Sequence, residues 1–324
     1  MARRAGQRRR ADEAADPDRR RLLKAGLGAA GAIAAGGSLA QGAGVSPVAL
    51  AMTGTRPDDI PRRPLGRTGE HVSILGMGGY HLGTVATVTE AIRLVHEAVD
   101  GGVRFFDNAW EYNGGRSEEW MGRGLEGRRD DVFLMTKVCT HGRGKEVGLR
   151  MLEESLRRLK TDHLDVWQIH EVVYYNDPDL IFAPGGVAEA LLLAKQQGKV
   201  RFIGFTGHKD PAIHLRMLAH DFPFDTVQMP LNCFDATFRS FEARVLPEVN
   251  RRGIAALGMK SLGGSGEMVT SGMIIPEEGL RYAMSLPVAT TISGMDTLAV
   301  LGQNLEIARK FKPIPSDRGV DTAD

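Results

Sequence analysis

The sequence has few of the cysteines that build metal centres and disulfide frameworks. It contains only two cysteines in 324 residues, Cys139 and Cys233, without metal-ligand spacing, so neither a metal site nor a disulfide framework is expected. Beyond residue 24 the charges nearly balance, with 32 basic and 36 acidic residues. This mild acidity argues against nucleic acid as a partner, and the composition is that of a globular protein.

The first 40 residues have the pattern of an export signal. Arg19, Arg20 and Arg21 precede an uncharged, weakly apolar stretch from Ala25 to Ala40, which is too short and mild for a membrane span. The paired arginines followed by Leu-Leu-Lys resemble a twin-arginine signal. The alternative is a disordered basic tail.

From this pattern we predict a signal peptide over residues 1–40 and a linker over 41–60. The twin-arginine translocation machinery is then a partner, and the mature protein lies in the periplasm or cell envelope without a stable membrane span. If the signal is non-functional, the protein is cytoplasmic.

The rest of the chain alternates between strand-like apolar runs and helical periodicity in units of about 30 residues. The predicted strands lie near 74–79, 103–109, 131–138, 163–171, 200–207, 224–231, 254–260 and 289–294. The predicted helices lie near 89–101, 115–127, 144–160, 185–198, 210–220, 238–252, 276–286 and 297–311. Eight such units indicate a (β/α)8 TIM barrel over residues 61–315, with a β-hairpin around Pro64–Gly69 capping its bottom and a tail at 316–324.

Polar side chains stand where barrel strands are predicted to end, which is where such barrels carry their catalytic groups. Asp107, Lys137 and His170 each end a strand, and Tyr112 follows Asp107 on the next loop. The period of two along a strand gives each of the first three one face with apolar neighbours, so all three converge if those faces point inward. Singly, the histidine fits a buried core residue, the lysine a snorkelling side chain and the aspartate a turn cap.

These residues resemble the aldo-keto reductase family. The family signature Asp-x-Ala-x-x-Tyr stands as Asp107-Asn108-Ala109-Trp110-Glu111-Tyr112, followed in order by Lys137 and His170. The resemblance covers about residues 62–312. It implies a hydride transfer between a nicotinamide cofactor and an aldehyde, ketone or alcohol.

The resemblance also assigns roles to the four residues. Tyr112 would be the general acid or base, with its pKa lowered by the ammonium of Lys137. Asp107 would hold Lys137, and His170 would position the carbonyl and stabilise the developing oxyanion.

Cofactor contacts follow the family pattern with departures. Thr206-Gly207 stands where the family has Ser-Asn, and Met259 stands where an aromatic ring often stacks on nicotinamide. The predicted cofactor residues are Gly78, Gly79, Tyr80, Asp107, Thr206, Gly207, His208, Gln228, Met259, Lys260, Ser293, Gly294, Asp296, Gln303 and Asn304. Because Asp296-Thr297 replaces the Ser-Arg usual in NADP-selective members, NAD and NADP both remain open.

Loop aromatics form the predicted substrate pocket, and they are Trp110, Tyr174, Tyr175 and Phe182. The alternative functions are a nicotinamide-binding barrel that serves as a regulatory or partner subunit, and an aldolase with Lys137 as Schiff-base nucleophile.

Overall fold

The computed structural model describes residues 59–315. The predicted signal peptide, nearly all of the linker and the tail at 316–324 lie outside the described residues. Within residues 59–315, no helix combines the length and apolar character needed to cross a membrane.

Eight parallel strands close into a barrel, which confirms the predicted fold class. A two-stranded antiparallel sheet precedes them, formed by β1 (Arg62–Pro64) and β2 (His71–Ser73). The barrel strands are β3 (Leu75–Gly78), β4 (Phe105–Asp107), β5 (Phe133–Val138), β6 (Leu164–Ile169), β7 (Val200–Thr206), β8 (Thr226–Pro230), β9 (Ala255–Met259) and β10 (Thr290–Gly294). They pair in chain order, and β10 closes the ring against β3. We call the C-terminal ends of these eight strands the mouth.

Helices connect the strands on the outside. They are α1 (Gly79–Leu82), α2 (Val88–Asp100), α3 (Arg116–Gly124), α4 (Lys145–Leu159), α5 (Asp177–Ile181), α6 (Val187–Gln196), α7 (Pro211–Leu218), α8 (Phe241–Arg244), α9 (Leu246–Arg251), α10 (Glu267–Thr270), α11 (Pro276–Ser285) and α12 (Leu298–Arg309). Between β4 and α3 the chain forms a short 3₁₀ turn at Tyr112–Gly115.

The strand residues separate by parity into two apolar clusters. Phe105, Phe133, Met135 and Val166 belong to the cluster inside the barrel, whereas their sequence neighbours Phe106, Leu134 and Trp167 pack outward against the helices. The predicted inward faces are therefore confirmed, and they direct the strand-end polar residues to one mouth.

The hairpin seals the opposite end. Leu65 and Val72 are fully buried and pack in the interior cluster with Phe133 and Ala255. Hydrophobic residues at the hairpin thus close the bottom of the barrel, as the turn chemistry of Pro64–Gly69 predicts.

One helix that was predicted as continuous is divided into two in the structure. The stretch predicted near 238–252 divides into α8 and α9 around Val245. Pro247 in the first turn of α9 has no N–H to donate, and its ring clashes with the carbonyl four residues earlier, so one continuous helix cannot form. The short helices α1, α5 and α10 were not predicted, since one turn carries too little periodicity.

Candidate active site

A buried lysine is the centre of the polar cluster at the mouth. Lys137, on the inward face of β5, is 1% exposed. Its Nζ donates to Asp107 Oδ1 at 2.5 Å and to the Asn108 carbonyl at 2.7 Å, and it lies 3.3 Å from the Tyr112 hydroxyl. Burial lowers the pKa of Lys137, but the charges and hydrogen bonds of Asp107 and Tyr112 together outweigh burial and leave the pKa raised. A lysine held as ammonium is a poor Schiff-base nucleophile, which argues against the aldolase alternative.

A turn of left-handed residues places Tyr112. Asn113, Gly114 and Gly115 have φ angles of 54°, 66° and 92°. The Asn113 side chain holds this turn by donating to the Tyr80 carbonyl at 2.8 Å and to Ser117 Oγ at 2.9 Å. The φ of 92° at Gly115 favours glycine, and a Cβ there would also displace the Arg158 guanidinium, which would lie 2.6 Å away.

The expected direction of the Tyr112 pKa was wrong. Lys137 does lower this pKa, but burial of the phenol in the mouth raises it more, and the pKa is raised to about 12. Tyr112 is therefore a hydroxyl at neutral pH. It can donate a proton to a developing alkoxide. To act as a base it would need a positive charge in addition to that of Lys137.

His170 lies beside Tyr112 and contacts a carboxylate that sequence reasoning missed. The two rings meet edge to face with centroids 5.5 Å apart. The Nδ1 of His170 is in hydrogen-bond contact with Oε1 of Glu111. Burial lowers the pKa of His170, and Glu111 only partly offsets this effect. No family motif singles out position 111, and the one available signal was a carboxylate directly before the tyrosine.

Two of the predicted cofactor residues line the mouth from β7 and β8. Thr206 and Gln228 are paired in register and both are buried. Gln228 Nε2 donates to Asp107 Oδ2 at 3.3 Å, but its Oε1 is buried without a partner. A buried acceptor without a partner is costly, so this oxygen fits a ligand N–H such as that of a carboxamide.

The turn from β10 to α12 has the features expected of a phosphate site. Asn304 is buried and donates to Ser293 Oγ at 3.1 Å, which fixes this serine at the mouth. Thr297 caps α12 by accepting from the Val300 N–H. Free N–H groups at such a helix start attract anions, and Asp296 lies exposed beside them.

The remaining predicted cofactor residues lie around the same mouth. Gly78 pairs with both Asp107 and Gly294 in neighbouring strands, and Gly79 and Tyr80 follow it directly. Met259 ends β9 and Lys260 follows it, while Gln303 is exposed on α12. His208 is exposed and its Nε2 lies 3.2 Å from Glu171 Oε1. Gly207 packs under Val172 and His214, where a Cβ would clash.

The structure also brings His81 to this turn, which the sequence prediction omitted. A Cβ on Gly294 would lie 2.1 Å from the His81 ring, so the imidazole rests on the glycine backbone. Burial lowers the pKa of His81, with Asp296 raising it and Lys260 lowering it.

Not all predicted substrate residues face the mouth. Phe182 stacks on His220 at 4.1 Å and contacts Phe222 and Phe224 in the outer core, so its predicted place in a substrate pocket was wrong. The Arg158 guanidinium lies over the Trp110 ring, and Trp110 Nε1 donates to Glu154. These two contacts hold the loop that carries Trp110.

Tyr174 and Tyr175 remain exposed on the loop after β6. Their exposed fractions are 61% and 58%. The Tyr175 hydroxyl donates to Asp210 at 2.7 Å, and Lys209 lies over the Tyr174 ring.

The family of this chain follows from a comparison with known protein families. The model of the aldo/keto reductase family matches residues 74–273, which include all four residues of the mouth cluster. The chain belongs to the aldo/keto reductase family. The match runs from β3 to the loop after α10, so it covers the first seven barrel strands.

Individual relatives of this aldo/keto reductase family member differ in their described roles. It is 34% identical to an L-galactose dehydrogenase of Arabidopsis thaliana over 158 residues, covering 46% of this chain and 49% of that protein. It is 41% identical to a "Probable voltage-gated potassium channel subunit beta" of Oryza sativa subsp. japonica over 126 residues, covering 36% and 37%. The chain spans about half the length of the first of these curated relatives.

Solved structures share the same barrel. An aldo-keto reductase from Klebsiella pneumoniae in complex with NADPH superimposes with a TM-score of 0.62 at 21% identity. The match covers 77% of this chain and 89% of that one. At this identity, the likeness supports the fold alone.

Proposed function

We propose that this chain is an oxidoreductase that transfers a hydride between a nicotinamide cofactor, NAD or NADP, and a small aldehyde, ketone or alcohol. The observation that supports it most directly is the buried Lys137, held by Asp107 and within 3.3 Å of the Tyr112 hydroxyl. This arrangement aims a proton donor and a fixed positive charge at one point, which is what a carbonyl oxygen needs as it gains negative charge.

The nicotinamide cofactor would supply the hydride, and residues of the mouth fit it. Gln228 Oε1, buried without a partner, would accept from the carboxamide together with Thr206. The Ser293-Gly294 turn and the start of α12 would receive phosphates. The exposed carboxylate of Asp296 would oppose a 2′-phosphate and favour NAD.

Steady-state turnover tests this proposal. A panel of aldehydes, ketones and alcohols is assayed with NADPH, NADH and their oxidised forms. Cofactor-dependent turnover is expected with at least one pair. Tight cofactor binding without any turnover would instead favour the second function below.

The second candidate function is a regulatory or partner subunit built on a nicotinamide-binding barrel. The observation that favours it is the 41% identity to the potassium channel subunit beta. The complete set of Asp107, Tyr112, Lys137 and His170 in contact geometry favours catalysis, because a binding barrel has no need of a proton donor beside a buried ammonium.

We further propose that residues 1–40 export the folded protein through the twin-arginine machinery to the periplasm or cell envelope. The paired Arg19-Arg20 before an uncharged, weakly apolar stretch supports this proposal.

A further inference from the structure

One arginine of α4 contacts the loop that carries Tyr112. Arg158 Nη1 donates to the Trp110 carbonyl at 2.9 Å, and the guanidinium lies over the Trp110 ring, 5.1 Å from its centroid. The same guanidinium packs on Gly115, where a Cβ would displace it. Trp110 comes two residues before Tyr112, and Gly115 comes three residues after it. Arg158 therefore holds the loop on both sides of the tyrosine.

A buried carboxylate connects Arg158 to the strand of the catalytic lysine. Glu118, on α3, is fully buried and accepts from Arg158 Nη1 at 3.2 Å and from Thr136 Oγ1 at 2.6 Å. Thr136 directly precedes Lys137 on β5. A buried ion pair with further hydrogen bonds has little freedom to move, because each lost contact would leave a polar group without a partner. The pair therefore fixes Arg158 relative to β5.

The contact that depends on the position of this loop is the one between Tyr112 and Lys137. The Trp110 N–H donates to the Lys137 carbonyl at 3.1 Å, so the peptide groups of Trp110 are held between β5 and Arg158. The Tyr112 hydroxyl lies 3.3 Å from Lys137 Nζ, slightly beyond the usual length of such a hydrogen bond.

A small shift of the loop would be enough to remove this contact. When Tyr112 gives up its proton, the phenolate that forms is stabilised by the ammonium of Lys137. A displacement of about 1 Å away from β5 separates the two groups, and a misplacement of that size can cost a large factor in turnover. The loop must therefore be held firmly for the proton transfer to be efficient.

We propose that Arg158 is a positioning residue for the proton transfer: it fixes the loop from Trp110 to Gly115 and so keeps the Tyr112 hydroxyl in contact with Lys137. Arg158 acts through the loop, because the loop groups it contacts are the Trp110 carbonyl, the Trp110 ring and Gly115. The inference rests on the proposed hydride transfer, with Tyr112 as proton donor to the reacting oxygen. The effect of Arg158 on turnover must then depend on the Tyr112 hydroxyl.

A double-mutant cycle tests this dependence. Turnover is measured for the wild type, Arg158→Met, Tyr112→Phe and the double variant, with the aldehyde or ketone that the wild type reduces fastest. Fluorescence titration with NADPH and NADH measures cofactor binding for the same four proteins. The control is Arg129→Met, made alone and together with Tyr112→Phe. Arg129 is similarly shielded from solvent and donates to Asp165 and to the Val132 carbonyl at the bottom of the barrel.

Arg158→Met is expected to lower kcat by about tenfold or more, because the phenol moves away from Lys137. The KM of the carbonyl and the cofactor dissociation constants should change by less than about twofold. In the Tyr112→Phe background, Arg158→Met should change the residual kcat by less than about twofold, since the contact that it maintains is already absent. Arg129→Met should lower the urea midpoint of unfolding and leave kcat unchanged in both backgrounds. Equal losses of kcat from Arg158→Met in the two backgrounds would overturn the proposal, as would an unchanged kcat.

A conservative variant keeps the test decisive if the first variant does not fold. Arg158→Met leaves the buried Glu118 without its ion-pair partner, which destabilises the protein. Arg158→Lys keeps a positive charge beside Glu118 but lacks the planar guanidinium that lies over the Trp110 ring. Its kcat should lie between those of the wild type and Arg158→Met, and its loss should also vanish in the Tyr112→Phe background. If Arg158→Met does not fold, Arg158→Lys decides the proposal by the same criterion.

Hydrogen exchange gives a measurement that is independent of turnover. In the cofactor-free protein, the backbone amides of residues 109–116 should exchange faster in Arg158→Met or Arg158→Lys than in the wild type. The amides of β8, on the opposite side of the barrel, should not change. Unchanged exchange of the loop would overturn the proposal. Absence of turnover with every cofactor and carbonyl would refute the proposed function and the role in proton transfer, and hydrogen exchange would still decide whether Arg158 holds the loop.

Discussion

At the scale of single residues, the mouth combines groups that are costly to bury. Lys137 is compensated by Asp107, whereas Gln228 keeps an acceptor without a partner. Uncompensated groups are what a binding site retains for its ligand. Tyr112 lies between these two cases, since its hydroxyl contacts Lys137 and its pKa is raised to about 12.

Replacing Tyr112 by Phe should leave the fold and cofactor binding intact and lower turnover by roughly 100-fold or more, the contribution of a lost acid group. Steady-state kinetics and cofactor fluorescence titration measure the two effects. Tyr282→Phe is the matched control, since it removes a phenol hydroxyl that donates to Glu242 on the outside of the barrel. Turnover of Tyr112→Phe close to that of the control would exclude Tyr112 from the chemistry.

One buried histidine is expected to make the free energy of unfolding depend on pH. His214 is fully buried between Phe205 and Phe241, and burial lowers its pKa from 6.5 to about 4. The unfolded chain therefore binds a proton that the folded chain excludes, and stability falls as the pH drops from 6.5 toward 4. The loss at pH 4 is about 3 kcal/mol.

His214→Met should remove this part of the pH dependence. Urea unfolding of both proteins at pH 7.5 and pH 4.5 gives the comparison, and the wild type should lose more stability than the variant between the two conditions. His220→Met is the control, because His220 is exposed on the surface. Equal losses in the wild type and His214→Met would contradict a buried neutral histidine.

At the scale of elements, sequence periodicity predicted the barrel because every strand alternates between an interior and a helix-facing side. It also placed Asp107, Lys137 and His170 at one mouth. Every second residue of a strand faces inward, which holds from Phe105 to Asp107 and from Phe133 to Lys137. It could not predict that Phe182 packs outward, because a loop has no period. Nor could it find the Glu111 contact, which joins loops that follow different strands.

The turn between β10 and α12 is predicted to influence the choice of cofactor. Thr297 caps α12, so its replacement would weaken the helix start, and Asp296 is the position to change. Asp296→Asn keeps the size and removes the charge near a 2′-phosphate. NADPH should bind about fivefold more tightly relative to NADH, from about 1 kcal/mol of relieved repulsion.

Fluorescence titration of both cofactors measures this ratio. Asp221→Asn is a control for an exposed carboxylate, on the loop before β8. An unchanged NADPH to NADH ratio in Asp296→Asn would show that this turn does not face the 2′ position.

At the scale of the whole molecule, the described barrel has one end for stability and one for chemistry. The bottom is closed by the hairpin and by a paired network in which Asp165 joins Arg129 and Arg201. The mouth carries the buried polar groups. Because the mouth requires all eight strands to close, the proposed cofactor site exists only in the folded chain, and the folded chain is the form that the proposed twin-arginine export would carry.

Export is therefore predicted to depend on the arginine pair next to the uncharged stretch. Replacing Arg19 and Arg20 by Lys keeps the charge but removes the paired guanidinium groups, so most of the folded protein should remain in the cytoplasm. Replacing Arg8 and Arg9 by Lys is the matched control, because that pair lies away from the stretch from Ala25 to Ala40. Cell fractionation with an assay of cofactor binding locates the folded protein. If the Arg19 and Arg20 variant still appears outside the inner membrane at the level of the control, the twin-arginine reading is wrong and residues 1–40 are a basic tail.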